Sequence, residues 1–320
     1  MSGRCTSAWT ESFATPDRSS DRTQRQKFRS RTRPRSMRSD AVVRRAADTY
    51  QLGLIRAPAA GRAGELLGRG TGSSLEFQEF REYTPGDDIR HLDWAAYGRS
   101  DTLMVRLFRE EISPRTEVLV DASASMSVVP AKAILARQLA GLFSLLAGGL
   151  GGSPVVIPLA DQRPLERIGL DQIERLVDWP FTSRSTLAEL ISEGSVPLQS
   201  RSIRIVISDF LFPLDPETLV KQLASSASTL WVVQVLGEWE ANPTPVGGRR
   251  LVDNETAGEA DLVINGRAID DYLERLRRLQ RGLVQACRRA EATFVTVEAE
   301  PGLEQACRED LCGAGILRVA

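Results

Sequence analysis

Asp121, Ser123 and Ser125 stand at every second position of the stretch EVLVDASASMS, residues 117–127, directly after the apolar run Val118–Val120. In extended backbone that alternation places one carboxylate and two hydroxyls on the same side of a strand tip. Two other polar stretches have matching chemistry. Ser208-Asp209 follows IRIVI, and Thr186 lies in FTSRSTL, just before a helical pattern. Asp121, Asp209, Ser123, Ser125 and Thr186 together offer two carboxylates and three hydroxyls, with no nitrogen or sulfur donor. Such an all-oxygen set suits a hard divalent cation, and Mg²⁺ keeps waters or an outside oxygen in its shell. Taken alone, DASAS reads equally well as serines capping the next helix.

A second dense cluster is REYTPGDDIRHLDW, which holds Arg81, Glu82, Asp87, Asp88, Arg90, His91 and Asp93, with Tyr83 inside and Trp94 at its end. It reads as an internal ion-pair network that docks its segment onto the rest of the chain, with Tyr83 and Trp94 as anchors. The alternative is a partner-binding surface. Networks of the first kind mimic functional clusters.

The elements that must carry these residues follow from periodicity. Val42, Val43, Ala46, Tyr50 and Leu54 fall near helical spacing. Residues 70–112 are β-rich, with the turn Thr84-Pro85-Gly86-Asp87-Asp88 between EFQEFREY and TLMVRLFREE. After a link at Ser113–Arg115, strands and helices alternate. EVLVD, IRIVISDF, LWVVQVL and TFVTVEA are strands, and PVVIPLA with RPLERIGL forms a hairpin. Helices are expected at 130–150, 171–178, 186–193, 216–227, 268–290 and 302–311. In the long helix, Tyr272, Leu273, Leu276, Leu279 and Leu283 make a core-facing stripe. Alternation of this kind predicts an α/β fold with a mostly parallel sheet covered on both faces, and ligands at the carboxyl ends of its strands. The expected organisation is a disordered basic arm over 1–40, a helix and β-rich segment over 41–113, and an α/β domain over 114–320 with an inserted hairpin at about 245–266.

Composition bounds the function. The 320 residues suffice for one large or two ordinary domains. No apolar run reaches the ~18–20 residues of a membrane span. Ala131–Leu150 is interrupted by Lys132, Arg137 and Gln138 and reads as a core helix. Without a signal-peptide pattern the chain is expected in the cytoplasm. Cys5, Cys287, Cys307 and Cys312 are scattered, and His91 is the only histidine, so neither a disulfide framework nor a zinc site is expected. Residues 1–45 hold 12 Arg and Lys against 4 Asp and Glu, a net +8, which leaves −9 for the rest. The arm reads as solvated disorder, or as sequence upstream of a start at Met37. Its alternative is nucleic-acid contact, although the remainder has no basic stripe interleaved with aromatics. None of Lys27, Lys132 and Lys221 follows the glycine of a phosphate-binding loop, which argues against ATP hydrolysis. An Mg²⁺-dependent phosphohydrolase with Asp121 as nucleophile has Ser123 where a second acid belongs, and the sequence points to no lysine for the phosphate.

Asp-x-Ser-x-Ser, a threonine loop and a strand-end aspartate resemble the metal-ion-dependent adhesion site of von Willebrand factor A domains. From about Gly68 onward, EFREYTPGDDIRHLDW, VRLFREE and VLVDASASM resemble the family catalogued as domain of unknown function 58. These are von Willebrand factor A-like proteins associated with MoxR-type AAA+ ATPases. The resemblance implies a Rossmann-like, doubly wound sheet preceded by a small β-rich element. It also implies a non-enzymatic, metal-dependent adaptor for assembly or remodelling of protein complexes. Mg²⁺, or Mn²⁺ or Ca²⁺, would be held by Asp121, Ser123 and Ser125, with Thr186 and Asp209 binding directly or through water. One coordination position would stay open for a partner's Asp or Glu. The implied partners are a MoxR-type ATPase and other von Willebrand factor A-like proteins. Many relatives carry two N-terminal membrane helices; this chain resembles the branch without them.

Overall fold

The computed structural model describes residues 9–11, 40–54, 75–110, 115–161, 164–245, 247–253 and 259–320. Apart from Trp9–Glu11 and Asp40, the arginine-rich arm lies outside them, and so do the expectations of disorder and nucleic-acid contact placed on it. The chain divides into two compact units, residues 1–53 with 114–320, and residues 54–113.

In chain order the elements are β1 (Trp9–Glu11), α1 (Ala41–Thr49), β2 (Tyr50–Leu52), β3 (Leu75–Glu82), α2 (Trp94–Ser100) and β4 (Met104–Glu110). There follow β5 (Thr116–Asp121), α3 (Pro130–Gly149), β6 (Pro154–Leu159), β7 (Ile168–Gly169), α4 (Leu187–Ser192), β8 (Ile203–Ser208), α5 (Pro216–Ala224) and β9 (Thr229–Leu236). The chain ends with α6 (Glu238–Ala241), β10 (Gly247–Asp253), β11 (Glu259–Ile264), α7 (Gly266–Arg289), β12 (Thr293–Glu298), α8 (Leu303–Gln305) and β13 (Leu317–Val319).

The larger unit is built on a six-stranded sheet ordered β12-β9-β8-β5-β6-β7. Its neighbours pair in parallel except for the antiparallel edge strand β7. The sheet is therefore mixed, with a parallel core. Every residue of β5 and β8 is buried, which only a sheet covered on both faces allows. Register explains the faces. Leu119 lies opposite Ile157 and Val206, and Val206 opposite Val232, so these four share one face. They pack with Leu190 of α4, Leu219 and Leu223 of α5, and Leu283 of α7. Val118, Ile205 and Trp231 align on the other face, where Phe143 of α3 meets Trp231 at 6.3 Å between ring centroids. Each such fully buried aliphatic side chain contributes about 1.5–3 kcal/mol.

β6 lies on one side of β5, while β8, β9 and β12 run outward on the other. The chain thus reverses its winding between β5 and β8, and the crevice beyond their carboxyl ends is where such sheets receive ligands.

Helix α3 begins with Pro130 at a position where no amide donor is needed, runs through Ala and Leu, and stops at Gly148-Gly149. It is long and apolar enough to cross a membrane, yet Leu135, Leu139, Leu142 and Phe143 are buried in the core. α1 starts at an N-cap, Asp40 accepting the Val42 N–H at 3.0 Å, and buries Val43 and Ala46. It was expected with the β-rich segment but belongs to the larger unit. Gln138 of α3 donates to Asp40 at 3.2 Å, and β2 pairs antiparallel with β13. Periodicity had shown which face of α1 is apolar, not which helix covers it. Within the span expected as an inserted hairpin, β10 and β11 pair antiparallel, and β1 adds to β10.

In the smaller unit β3 and β4 pair antiparallel, with a register shift between Phe77 and Glu79. Gly86 supplies the φ of +113° that the connecting turn requires.

Candidate functional site

β5 ends in Asp121 and the chain turns at once. Asp121 Oδ1 accepts the Ser123 N–H at 2.9 Å, and its Oδ2 accepts the Ser208 hydroxyl at 2.6 Å. Ser123 and Ser125 hydroxyls lie 2.9 Å apart. All four side chains are buried. The neighbouring strand ends as sharply. Phe210 takes a left-handed φ of +56°, rare for a bulky residue, while its N–H donates to Ser208 Oγ at 3.0 Å. The Leu211 N–H donates to Asp209 Oδ1 at 3.0 Å. Gln234 of β9 supports this turn from beneath by donating to the Asp209 carbonyl at 2.9 Å.

The third loop reaches the site through Ser183. Ser183 pairs with Ser123 as an isolated parallel bridge, its N–H on the Ala122 carbonyl at 2.9 Å and its carbonyl accepting the Ala124 N–H at 3.1 Å. Asp161, just beyond β6, holds this loop. It accepts the Ser183 hydroxyl at 2.8 Å and the N–H groups of Arg184 and Ser185 at 3.0 and 2.8 Å. Thr186 is the N-cap of α4: its hydroxyl accepts the Glu189 N–H at 3.2 Å, and the Glu189 carboxylate accepts the Thr186 N–H at 2.8 Å. Its side chain is therefore engaged with the first turn of α4.

Sequence reasoning missed a further member. Lys132, in the first turn of α3, is fully buried and donates to Asp209 Oδ2 and Glu240 Oε1, both at 2.8 Å. The fold thus brings a lysine to Asp209, at the tip of the strand next to that of Asp121. Its signal was its position, since a cation at a helix N-terminus opposes the helix dipole and needs nearby carboxylates. Burial pulls the Lys132 pKa down, but Asp209 and Glu240 outweigh it and leave the ammonium above its ordinary value. Burial and the nearby Asp209 push Asp121 up to about 6, against the hydrogen bonds from Ser208 and Ser123. Burial likewise raises Glu240, opposed by Lys132.

The donor set fits a hard divalent cation. Asp121, Ser123 and Ser125 offer oxygen only, buried at the carboxyl end of β5 beside that of β8. Three carboxylates, Asp121, Asp209 and Glu240, share the cluster with a single ammonium, so it carries excess negative charge that a cation would offset. These three carboxylates sense one another's charge but do not converge on one point: among the described residues no three His, Cys, Asp or Glu side chains lie close enough to hold a single metal ion, and the Ser123 and Ser125 hydroxyls supply the further oxygens beside Asp121.

The REYTPGDDIRHLDW block is largely bonded within itself. Arg81 donates to Thr84 Oγ1 and Asp87 Oδ1, each at 2.7 Å, and Asp87 Oδ2 accepts the Thr84 N–H at 2.8 Å. Asp88 caps Ile89–His91 and holds the Arg90 guanidinium at 2.6 Å. Asp93 caps α2 by accepting the N–H groups of Ala95 and Ala96 at 2.9 Å. Tyr83 is half-buried. Trp94, expected as an anchor, is 65% exposed and stands edge-on to Tyr97.

A family model described as "Protein of unknown function DUF58" matches residues 79–282, a span that holds this block and every residue of the strand-tip cluster. "Uncharacterized protein Mb1516" of Mycobacterium bovis is 28% identical to the chain over 222 residues, 65% of this chain and 70% of that protein. "Uncharacterized protein Rv1480" of Mycobacterium tuberculosis has the same identity and coverage. Among solved structures, the conserved hypothetical protein BatB from Bacteroides thetaiotaomicron aligns with a TM-score of 0.36 and 16% identity, over 60% of this chain and 93% of that one. An aerotolerance-related membrane protein from Bacteroides fragilis aligns with a TM-score of 0.35 and 11% identity, over 57% and 91%.

Proposed function

We propose, from the premise that the chain belongs to the DUF58 family, that the crevice between β5 and β8 is a metal-dependent protein-interaction site of the von Willebrand factor A kind. In this reading the chain is a non-enzymatic adaptor that works beside a MoxR-type AAA+ ATPase. The observation that carries it is the convergence of Asp121, Ser123 and Ser125 with Ser208 and Asp209 at one strand-tip crevice with excess buried negative charge. Asp121, Ser123 and Ser125 would hold the cation, Mg²⁺ or its stand-ins Mn²⁺ and Ca²⁺, and the cation would supply an electrophilic seat for a partner's carboxylate. Neutral hydroxyls coordinate without cancelling charge, so that seat keeps its pull. Ser208 orients Asp121, and the Ser183 loop braces the backbone on which Ser123 sits.

The phosphohydrolase alternative gains a lysine from the structure but not a usable one. Lys132 Nζ is buried between two carboxylates, and Ser123 still stands where a second acid is needed.

The test is capture by the immobilised chain of the purified MoxR-type ATPase from the same organism, with wild type and Asp121→Ala, in Mg²⁺ and in EDTA. Retention by wild type in Mg²⁺ alone supports the adaptor. Equal retention in all four samples would place binding elsewhere. Hydrolysis of p-nitrophenyl phosphate abolished by Asp121→Ala would favour the enzyme.

A further inference from the structure

We infer that Lys132 is a resident counter-cation that competes with the metal for Asp209, and that Glu240 is the seat that keeps the ammonium when Asp209 is drawn away. The inference rests on the metal-site reading above and concerns residues that reading leaves unused.

The geometry supports each part. Lys132 is fully buried, and its ammonium sits 2.8 Å from both Asp209 Oδ2 and Glu240 Oε1. It stands in the first turn of α3, where the helix dipole repels a cation, so the carboxylates and not the helix fix its place. Asp209 has both oxygens engaged, one by the Leu211 N–H and one by Lys132. A metal that it serves must share the carboxylate with the ammonium, and the two cations repel one another at that distance. Glu240 is held independently of Lys132. Its Oε2 accepts the Gly237 N–H at 2.8 Å, and its carbonyl accepts the Tyr272 hydroxyl at 2.8 Å. An ammonium released by Asp209 therefore keeps a fixed, charged partner without leaving the interior. α6, which carries Glu240, follows directly on β9 and so starts at the carboxyl end of the same sheet.

Removing the competitor and removing its second seat should act in opposite directions. The experiment is calorimetric titration of the full chain with Mn²⁺, for wild type, Lys132→Met, Glu240→Gln and the double variant, each checked by circular dichroism. Lys132→Met is expected to bind Mn²⁺ about tenfold more tightly, the size of one close opposite charge. Glu240→Gln is expected to bind about tenfold more weakly, because its ammonium has only Asp209. In the Lys132→Met background, Glu240→Gln should change affinity by less than about threefold, there being no ammonium left to seat. Lys132→Met binding no tighter than wild type overturns the inference. So does Glu240→Gln weakening both backgrounds equally, which would make Glu240 only a distant charge. Should Lys132→Met fail to fold, Lys132→Gln, which removes the charge but keeps an amide donor for the two carboxylates, takes its place in the same cycle and is held to the same outcomes. Wild type without saturable Mn²⁺ binding would bring down the metal-site reading itself, and the inference with it.

Discussion

Ser208 and Asp121, on neighbouring parallel strands and 87 positions apart, are joined by a 2.6 Å hydrogen bond with no water between them. Ser208 is also the acceptor for the strained Phe210 amide at 3.0 Å. One hydroxyl thus ties the carboxylate of one strand tip to the turn of the next. Ser208→Ala leaves a buried acceptor and a buried donor each without this partner. It is expected to destabilise the fold by about 1–3 kcal/mol, read from urea unfolding. Ser127→Ala, which removes an exposed hydroxyl that the Ala124 and Phe181 carbonyls share and leaves no buried charge without a partner, should cost clearly less. Equal losses would mean that the Asp121–Ser208 bond contributes nothing special.

Asp161 predicts a pH dependence. Its partial burial works against ionisation, but the amides of Arg184 and Ser185 and the Ser183 hydroxyl outweigh it and hold the carboxyl at about 2, below the ordinary 3.8. A depressed carboxylate contributes stability that is fully present above its unfolded pKa and is lost as pH falls through the folded value. Wild type should therefore lose melting temperature between about pH 4 and pH 2 partly through this group. Asp161→Asn should show a shallower fall over that window and a lower melting temperature above it. Parallel curves for the two proteins would show that the loop is held by other contacts.

At the amino end of the same two strands, Glu117 of β5 and Arg204 of β8 form a fully buried ion pair at 3.1 Å. Glu117 also accepts from Ser202 Oγ at 2.9 Å and from the Gln199 amide at 3.0 Å, while Arg204 donates to the carbonyls of Leu223, Ser225 and Gln199. Arg204→Met leaves the buried Glu117 carboxylate with only Arg167, at 3.9 Å, as a charged neighbour and removes the donor to the Leu223 and Ser225 carbonyls, and is expected to cost ~3–5 kcal/mol. Glu117→Gln/Arg204→Met should recover part of that loss. Recovery in the double variant separates a stranded charge from lost packing, and its absence would point to packing.

Those ion pairs mark the boundary of what the sequence discloses. β5 and β8 were legible because an apolar run that ends in Asp is a local signal, and local chemistry put Asp121, Ser123, Ser125 and Asp209 at strand tips. Lys132 was not, since its partners lie 77 and 108 positions away. In sequence it only interrupts an apolar helix. Helix α2 was hidden for another reason. Its N-cap Asp93 and the following Trp-Ala-Ala are a helix start, but in sequence Asp93 reads as one more charge of the REYTPGDDIRHLDW block. Ser183 carries no signal in sequence because it meets Ser123 through backbone groups, which no side-chain pattern announces.

Thr186 gives the sharpest separation of folding from metal binding. The adhesion-site resemblance assigns its hydroxyl to the cation, whereas the structure engages it in a reciprocal cap with Glu189. Thr186→Ser preserves that cap and should leave stability nearly unchanged. Thr186→Val keeps the shape but removes the acceptor, and is expected to cost about 1 kcal/mol, the usual value of an N-cap. Because the cap points the side chain at α4, Mn²⁺ affinity should stay within about twofold of wild type in both variants, provided that Asp121, Ser123 and Ser125 are the ligands. A drop of tenfold or more in Thr186→Val alone, with affinity kept in Thr186→Ser, would return the hydroxyl to the metal. In that case the cap and the cation share one oxygen, which its second lone pair permits.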